Sequence, residues 1–77
     1  MASFEVRVVN NDQEGVSGVR VALEFTSIVR GMATEHTDSE GSAHFDGYDE
    51  GDIRVYVDGQ SCGTYSYEDG GCITITK

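Results

Sequence analysis

Apolar side chains recur at every second position over short stretches of this chain, with polar ones filling the places between. Phe4, Val6 and Val8 flank Glu5 and Arg7, the period of a half-buried strand, whose successive side chains leave opposite faces. After a polar cluster from Asn10 to Gly15, Val19, Val21, Leu23 and Phe25 alternate with Arg20, Ala22 and Glu24. This second strand has the clearest alternation in the sequence. Ser27 to Met32 has no period; a third strand begins near Thr34 and leads into Asp38-Ser39-Glu40-Gly41, with Gly41 placed for the left-handed bulge position of a hairpin loop. Ala43 and Phe45 point inward on a fourth strand. Asp46 to Asp52 is an acidic turn, and Ile53, Val55 and Val57 alternate with Arg54, Tyr56 and Asp58 on a fifth strand that ends at Asp58-Gly59. Thr64 to Thr76 reads as a hairpin turning at Glu68-Asp69-Gly70-Gly71, which supplies strands six and seven with Ile73 and Ile75 inside. About seven short strands, turn signals between them and no helical period predict one all-β domain over residues 1–77, an antiparallel β-sandwich.

Composition strengthens that expectation. The apolar fraction of 38% rests on Val, Ile, Tyr and Phe, side chains that suit a pleated surface. Ten Gly and no Pro supply turn residues while leaving backbone donors free for ladders. At 77 residues the core must be thin, because folding at this size buries only about 60–65% of the chain's surface. The formal charge of −9 repels phosphate backbones and anionic lipid, which argues against nucleic acid and membrane as partners. No apolar run reaches the length of a membrane span, and no basic-then-apolar leader opens the sequence, which leaves the compartment open. In the expected last hairpin Cys72 stands opposite Tyr67 and Cys62 lies further along that strand, roughly 17 Å away at strand rise, so two free thiols are expected in place of a disulfide.

Three groups of residues carry candidate chemistry. A three-residue loop ending in Gly41 sets His36 directly opposite His44 on the wet face, half of a metal site. Asp46, Asp49, Glu50 and Asp52 gather four acids in one turn, oxygen ligands of the kind calcium needs, though not at EF-hand spacing. Tyr56 points outward by alternation, and Tyr65 and Tyr67 share one face of strand six; such rings stack on sugars or anchor a protein contact. Ile28, Val29 and Met32, apolar in an otherwise irregular stretch, add weight to protein contact. No motif sets a Ser beside a base, so the residues point away from catalysis and imply no cofactor beyond a candidate calcium ion at the acidic turn.

Glu14-Gly15-Val16-Ser17-Gly18-Val19-Arg20-Val21-Ala22-Leu23 resembles the opening of carboxypeptidase regulatory-like and transthyretin-like (prealbumin-like) domains, without their usual Pro. Thr37-Asp38-Ser39-Glu40-Gly41-Ser42-Ala43-His44-Phe45 is similar to that family's central turn, and Gly51-Asp52-Ile53-Arg54-Val55-Tyr56-Val57 to the strand after it. The likeness covers Phe4 to Gly59 and implies a Greek-key sandwich serving as an accessory, adhesive or spacer module, admitting an extracytoplasmic place in a larger protein. The hydroxyisourate hydrolases of that group end in Tyr-Arg-Gly-Ser, whereas this sequence ends Ile73-Thr74-Ile75-Thr76-Lys77. Pilin-type relatives crosslink a first-strand Lys to a last-strand Asn, and neither residue is present here. Two functions therefore stand open: a non-catalytic structural or interaction module binding a protein or a second copy of itself, and a carbohydrate- or calcium-dependent binding domain.

Overall fold

The computed structural model describes residues 2–26 and 31–77. It is all-β: β1 (Ala2–Val9), β2 (Arg20–Phe25), β3 (Gly31–His36), β4 (Ser42–Tyr48), β5 (Gly51–Val57), β6 (Gln60–Tyr67) and β7 (Gly71–Thr76). They form two sheets, one of three strands in the order β4-β1-β7 and one of four in the order β3-β2-β5-β6. The inward side chains of both sheets make a single apolar core. Val6, Val21 and Val55 have no exposed surface and Phe45 keeps 2%, so the four positions that period-two alternation sets inside do converge. Ile75 is buried and Ile73 packs against the same core, again as alternation predicts.

Two expected pairings are not formed. The segment after Tyr67 does not close a β6–β7 hairpin; it crosses from one sheet to the other, and β7 runs parallel to β1 with Val6 opposite Ile73. The sheet is therefore mixed, not purely antiparallel. Burial explains the choice: Val6 and Val8 are fully buried on a strand that β4 pairs on one side only, and β7 satisfies the other side while bringing Ile75 inward. Likewise β3 and β4 do not pair but lie at the edges of different sheets. Thr37 turns the chain between them, because its hydroxyl donates to the Val16 carbonyl at 2.6 Å and accepts the Val19 N–H at 2.9 Å. Asp38 then closes the turn by accepting the N–H groups of Glu40 and Ser42 at 2.9 and 3.0 Å.

Gly41 does adopt the left-handed conformation, at φ 84°, and its setting makes that choice obligatory. A Cβ there would stand 2.5 Å from the Val8 carbonyl oxygen, while one on Gly15 would collide with the Glu40 carbonyl. The β1–β2 connection and the β3–β4 turn thus cross at two glycines. The β5–β6 hairpin is tighter than expected: Asp58 and Gly59 both have positive φ, at 55° and 83°, with Val57 opposite Gln60. Two such residues between antiparallel strands make a type I′ turn, and β6 consequently begins at Gln60.

Candidate functional site

The outer face of the four-stranded sheet is the candidate surface. Strand register sets Thr34, Ala22, Tyr56 and Ser61 in one row and Met32, Glu24, Arg54 and Thr64 in the next. A shallow groove of about 300 Å³ runs along these rows, with Ala22 as its floor. Met32 and Thr34 form one wall, Tyr56 and Gly59 the other, and Arg20 and Glu24 stand at the two ends. Ala22 faces outward yet keeps only 8% of its surface, whereas Met32 keeps 62%. The Tyr56 hydroxyl donates to Glu24 Oε1 at 3.2 Å, and Arg54 Nη1 lies 3.7 Å from the same oxygen. This pins the ring at its polar tip and leaves its flank to the groove. Arg20 makes no ion pair among the described residues.

Of the other tyrosines expected at a binding face, Tyr67 is internal and Tyr65 half-buried. Tyr67 is fully buried, its hydroxyl donating to the Ala2 carbonyl at 2.7 Å, and its ring lies 5.1 Å from Phe4 and 5.5 Å from Phe25. Tyr65, two residues earlier and hence on the same face, packs against the core. Alternation correctly puts the pair on one face, but that face is the inner one, since β6 pairs with β5 and inherits its inward side. Tyr48 keeps 38% exposure and stacks on Phe25 at 5.0 Å. Ile28 and Val29 lie outside the described residues, while Met32 stands in the groove wall.

The expected histidine pair is separated. His36 lies opposite Arg20 on β2, and His44 lies opposite Glu5 on β1, in the other sheet. His44 sits instead among acids, with Nδ1 3.5 Å from Glu5 Oε1 and Nε2 3.9 Å from Asp38 Oδ2. The acidic turn is drawn into backbone work: Glu50 Oε2 accepts the Asp69 N–H at 3.0 Å, and the Asp52 carbonyl accepts the Thr26 N–H at 3.2 Å. Asp46 pairs with Ser3 in the ladder, and Asp49 lies with Glu50 and Asp69 along an open depression near Ala2. Among the described residues no three His, Cys, Asp or Glu side chains are grouped to hold a metal ion.

One cluster was not legible in the sequence. Because β1 lies between β4 and β7, Glu5 stands between His44 and Cys72 on the outer face of the three-stranded sheet. Glu5 Oε2 accepts the Ser42 hydroxyl at 3.3 Å and the Cys72 thiol at 3.7 Å. The composition is that of a thiol-based catalyst, but the connectivity is not. His44 contacts Glu5, not the sulfur, and burial together with the Glu5 carboxylate pushes the Cys72 thiol above its ordinary value, the opposite of activation. Cys62 and Cys72 are both free, and the hairpin geometry that argued against their pairing does not exist.

No family model matches the chain, and no curated protein matches it.

Proposed function

We propose that this domain is a non-catalytic interaction module, a Greek-key sandwich of transthyretin-like connectivity that meets a protein partner through the outer face of its four-stranded sheet. The observation that carries it is the Met32–Ala22–Tyr56 groove: a methionine with 62% of its surface exposed beside a tyrosine held at its hydroxyl. An exposed flexible thioether and a positioned aromatic over a small floor are the parts of a contact-surface centre, and opposite charges at the groove ends orient what lies along it. The Greek-key part is supported by the order of the strands, in which the first and last are neighbours in one sheet while the second, third, fifth and sixth make the other. The non-catalytic part is supported by the raised Cys72 thiol and by the separation of His36 from His44.

The test is site-specific photo-crosslinking in the native host from position 32 and, as a control, from Asp12 in the exposed β1–β2 connection. A defined protein adduct that forms from position 32, not from position 12, and is lost in Tyr56→Ala supports the contact surface. Equal labelling from both positions contradicts it, and glycan-array binding abolished by Tyr56→Ala would replace the protein partner with a sugar.

A further inference from the structure

Each of β1 to β5 carries at least one charged side chain, whereas β6 and β7 carry none. Both are edge strands, the place where charge normally guards against pairing with another chain. The two are not equivalent. The β5–β6 ladder breaks register between Arg54 and Tyr56, and Gly63 has φ 104°, irregularities that blunt a template. The β1–β7 ladder runs without a break from Gly71 to Thr76. Of the other two edges, β3 carries Glu35 and His36, while β4 carries His44 and Asp46 and shifts register against β1. Among the described residues, strand β7 is therefore the one edge that is both uncharged and regular.

We infer that β7 pairs antiparallel with β7 of a second copy about a two-fold axis at Thr74, joining two three-stranded sheets into one of six strands. This interface goes beyond the contact surface proposed above and uses a different part of the molecule. Charge at the strand's ends selects the orientation. Glu68 and Asp69 precede β7 and Lys77, whose ammonium lies 3.1 Å from Asp58 Oδ2 of its own chain, follows it, so an antiparallel partner brings Lys77 of each copy towards the other's acidic turn. A parallel one would set like charges together. The axis at Thr74 opposes Ile73 to Ile75, Thr74 to Thr74 and Cys72 to Thr76, pairs of β-branched and small side chains with no like charges facing. The backbone agrees with this register. The Lys77 N–H donates to the Val9 carbonyl at 2.8 Å, and alternation along a parallel ladder then leaves the N–H and C=O of Cys72, Thr74 and Thr76 on the free side. Elsewhere the −9 charge drives copies apart, so association is confined to the uncharged edge that is also regular.

Sedimentation equilibrium in reducing buffer from micromolar to millimolar protein tests this. The wild type is expected to rise towards twice the monomer mass, with amide exchange at Cys72, Thr74 and Thr76 slowing as dimer forms. Thr74→Glu sets two carboxylates across the axis, while Arg7, its ladder neighbour in the same chain, offsets the new charge within the monomer. It is expected to weaken the dimer by roughly a hundredfold, and Thr74→Val to leave it intact. A mass that stays monomeric at millimolar protein, or a Thr74→Glu dimer of wild-type affinity, overturns the inference. Exchange protection confined to β3 or β6 does so without any variant. Met32→Glu leaves dimer formation unchanged, which separates failure of this interface from failure of the groove.

Discussion

The Tyr67 hydroxyl and the Ala2 carbonyl, 2.7 Å apart and buried, tie the end of β6 in one sheet to the start of β1 in the other. The bond sits among Phe4, Phe25 and Tyr48, whose rings lie within 6.1 Å of Tyr67. It fixes the point at which the chain leaves the four-stranded sheet to enter the three-stranded one.

Tyr67→Phe removes the donor and strands a buried carbonyl, at a cost of about 1–3 kcal/mol. Tyr67→Ala adds a cavity and costs about 3–5 kcal/mol. Urea denaturation followed by circular dichroism measures both, and a Tyr67→Phe midpoint equal to wild type would show the bond to be idle.

Burial, with Asp46 adding to it, holds the Tyr67 phenol above its ordinary value of 10.0. A raised folded pKa on an acid means that the folded state keeps its proton longer than the unfolded chain does. The stabilisation from this group is therefore fully present below about pH 10 and is lost as pH rises through the folded value. Ultraviolet titration should find a late-ionising tyrosine step, and Tyr67→Phe should remove it.

Asp38 titrates in the opposite sense. The backbone N–H groups of Ser42 and Glu40 that it accepts, with His44 contributing less, hold its carboxyl below 3.8. Its contribution to the β3–β4 turn is present above that value and fades as pH falls through the folded one. Asp38→Asn should therefore flatten the acid limb of a melting-temperature profile below about pH 4 while leaving neutral behaviour close to wild type.

Gly41→Ala sets a side chain at φ 84° against the Val8 carbonyl and is expected to cost more than about 1 kcal/mol. Gly70→Ala, also at positive φ but with open space around its Cβ position, should cost less. Thermal melts of the two rank them, and the reverse order would contradict the crossing of the two connections at Gly15 and Gly41.

Glu5→Gln removes the charge that helps to raise the Cys72 thiol. Alkylation of Cys72 by iodoacetamide should then reach half its limiting rate at a lower pH than in the wild type, with Cys62 serving as the internal reference. No change would mean that burial alone sets the thiol's pKa.

Alternation along single strands was legible: Phe4, Val6, Val21, Leu23, Phe45, Val55 and Ile75 are all inside, as their spacing requires. Strand partners were not, because a period of two says which face is dry and nothing about which neighbour supplies the hydrogen bonds. Adjacent strands separated by a short turn suggest hairpins, yet β3–β4 and β6–β7 both cross between sheets. At Thr37 the hydroxyl takes over backbone bonds from the β1–β2 connection; at Tyr67 the ring plugs the core. The candidate sites followed the pairings. His36 and His44 came apart with β3 and β4, and Tyr65 and Tyr67 turned inward with β6. Tyr56 and Met32 met because both lie outward on one sheet, and the Glu5–Cys72 contact had no sequence signal at all, being set by a parallel pair 67 residues apart in the chain.

That parallel β1–β7 pair underlies the free β7 edge, the muted Cys72 thiol and the separation of the two sheets. Nuclear Overhauser contacts among backbone protons test it most directly. Cross-strand contacts of Val6 with Ile73 and of Val8 with Ile75 are predicted, and cross-strand contacts of Cys72 with Tyr67, the signature of a terminal hairpin, would contradict it.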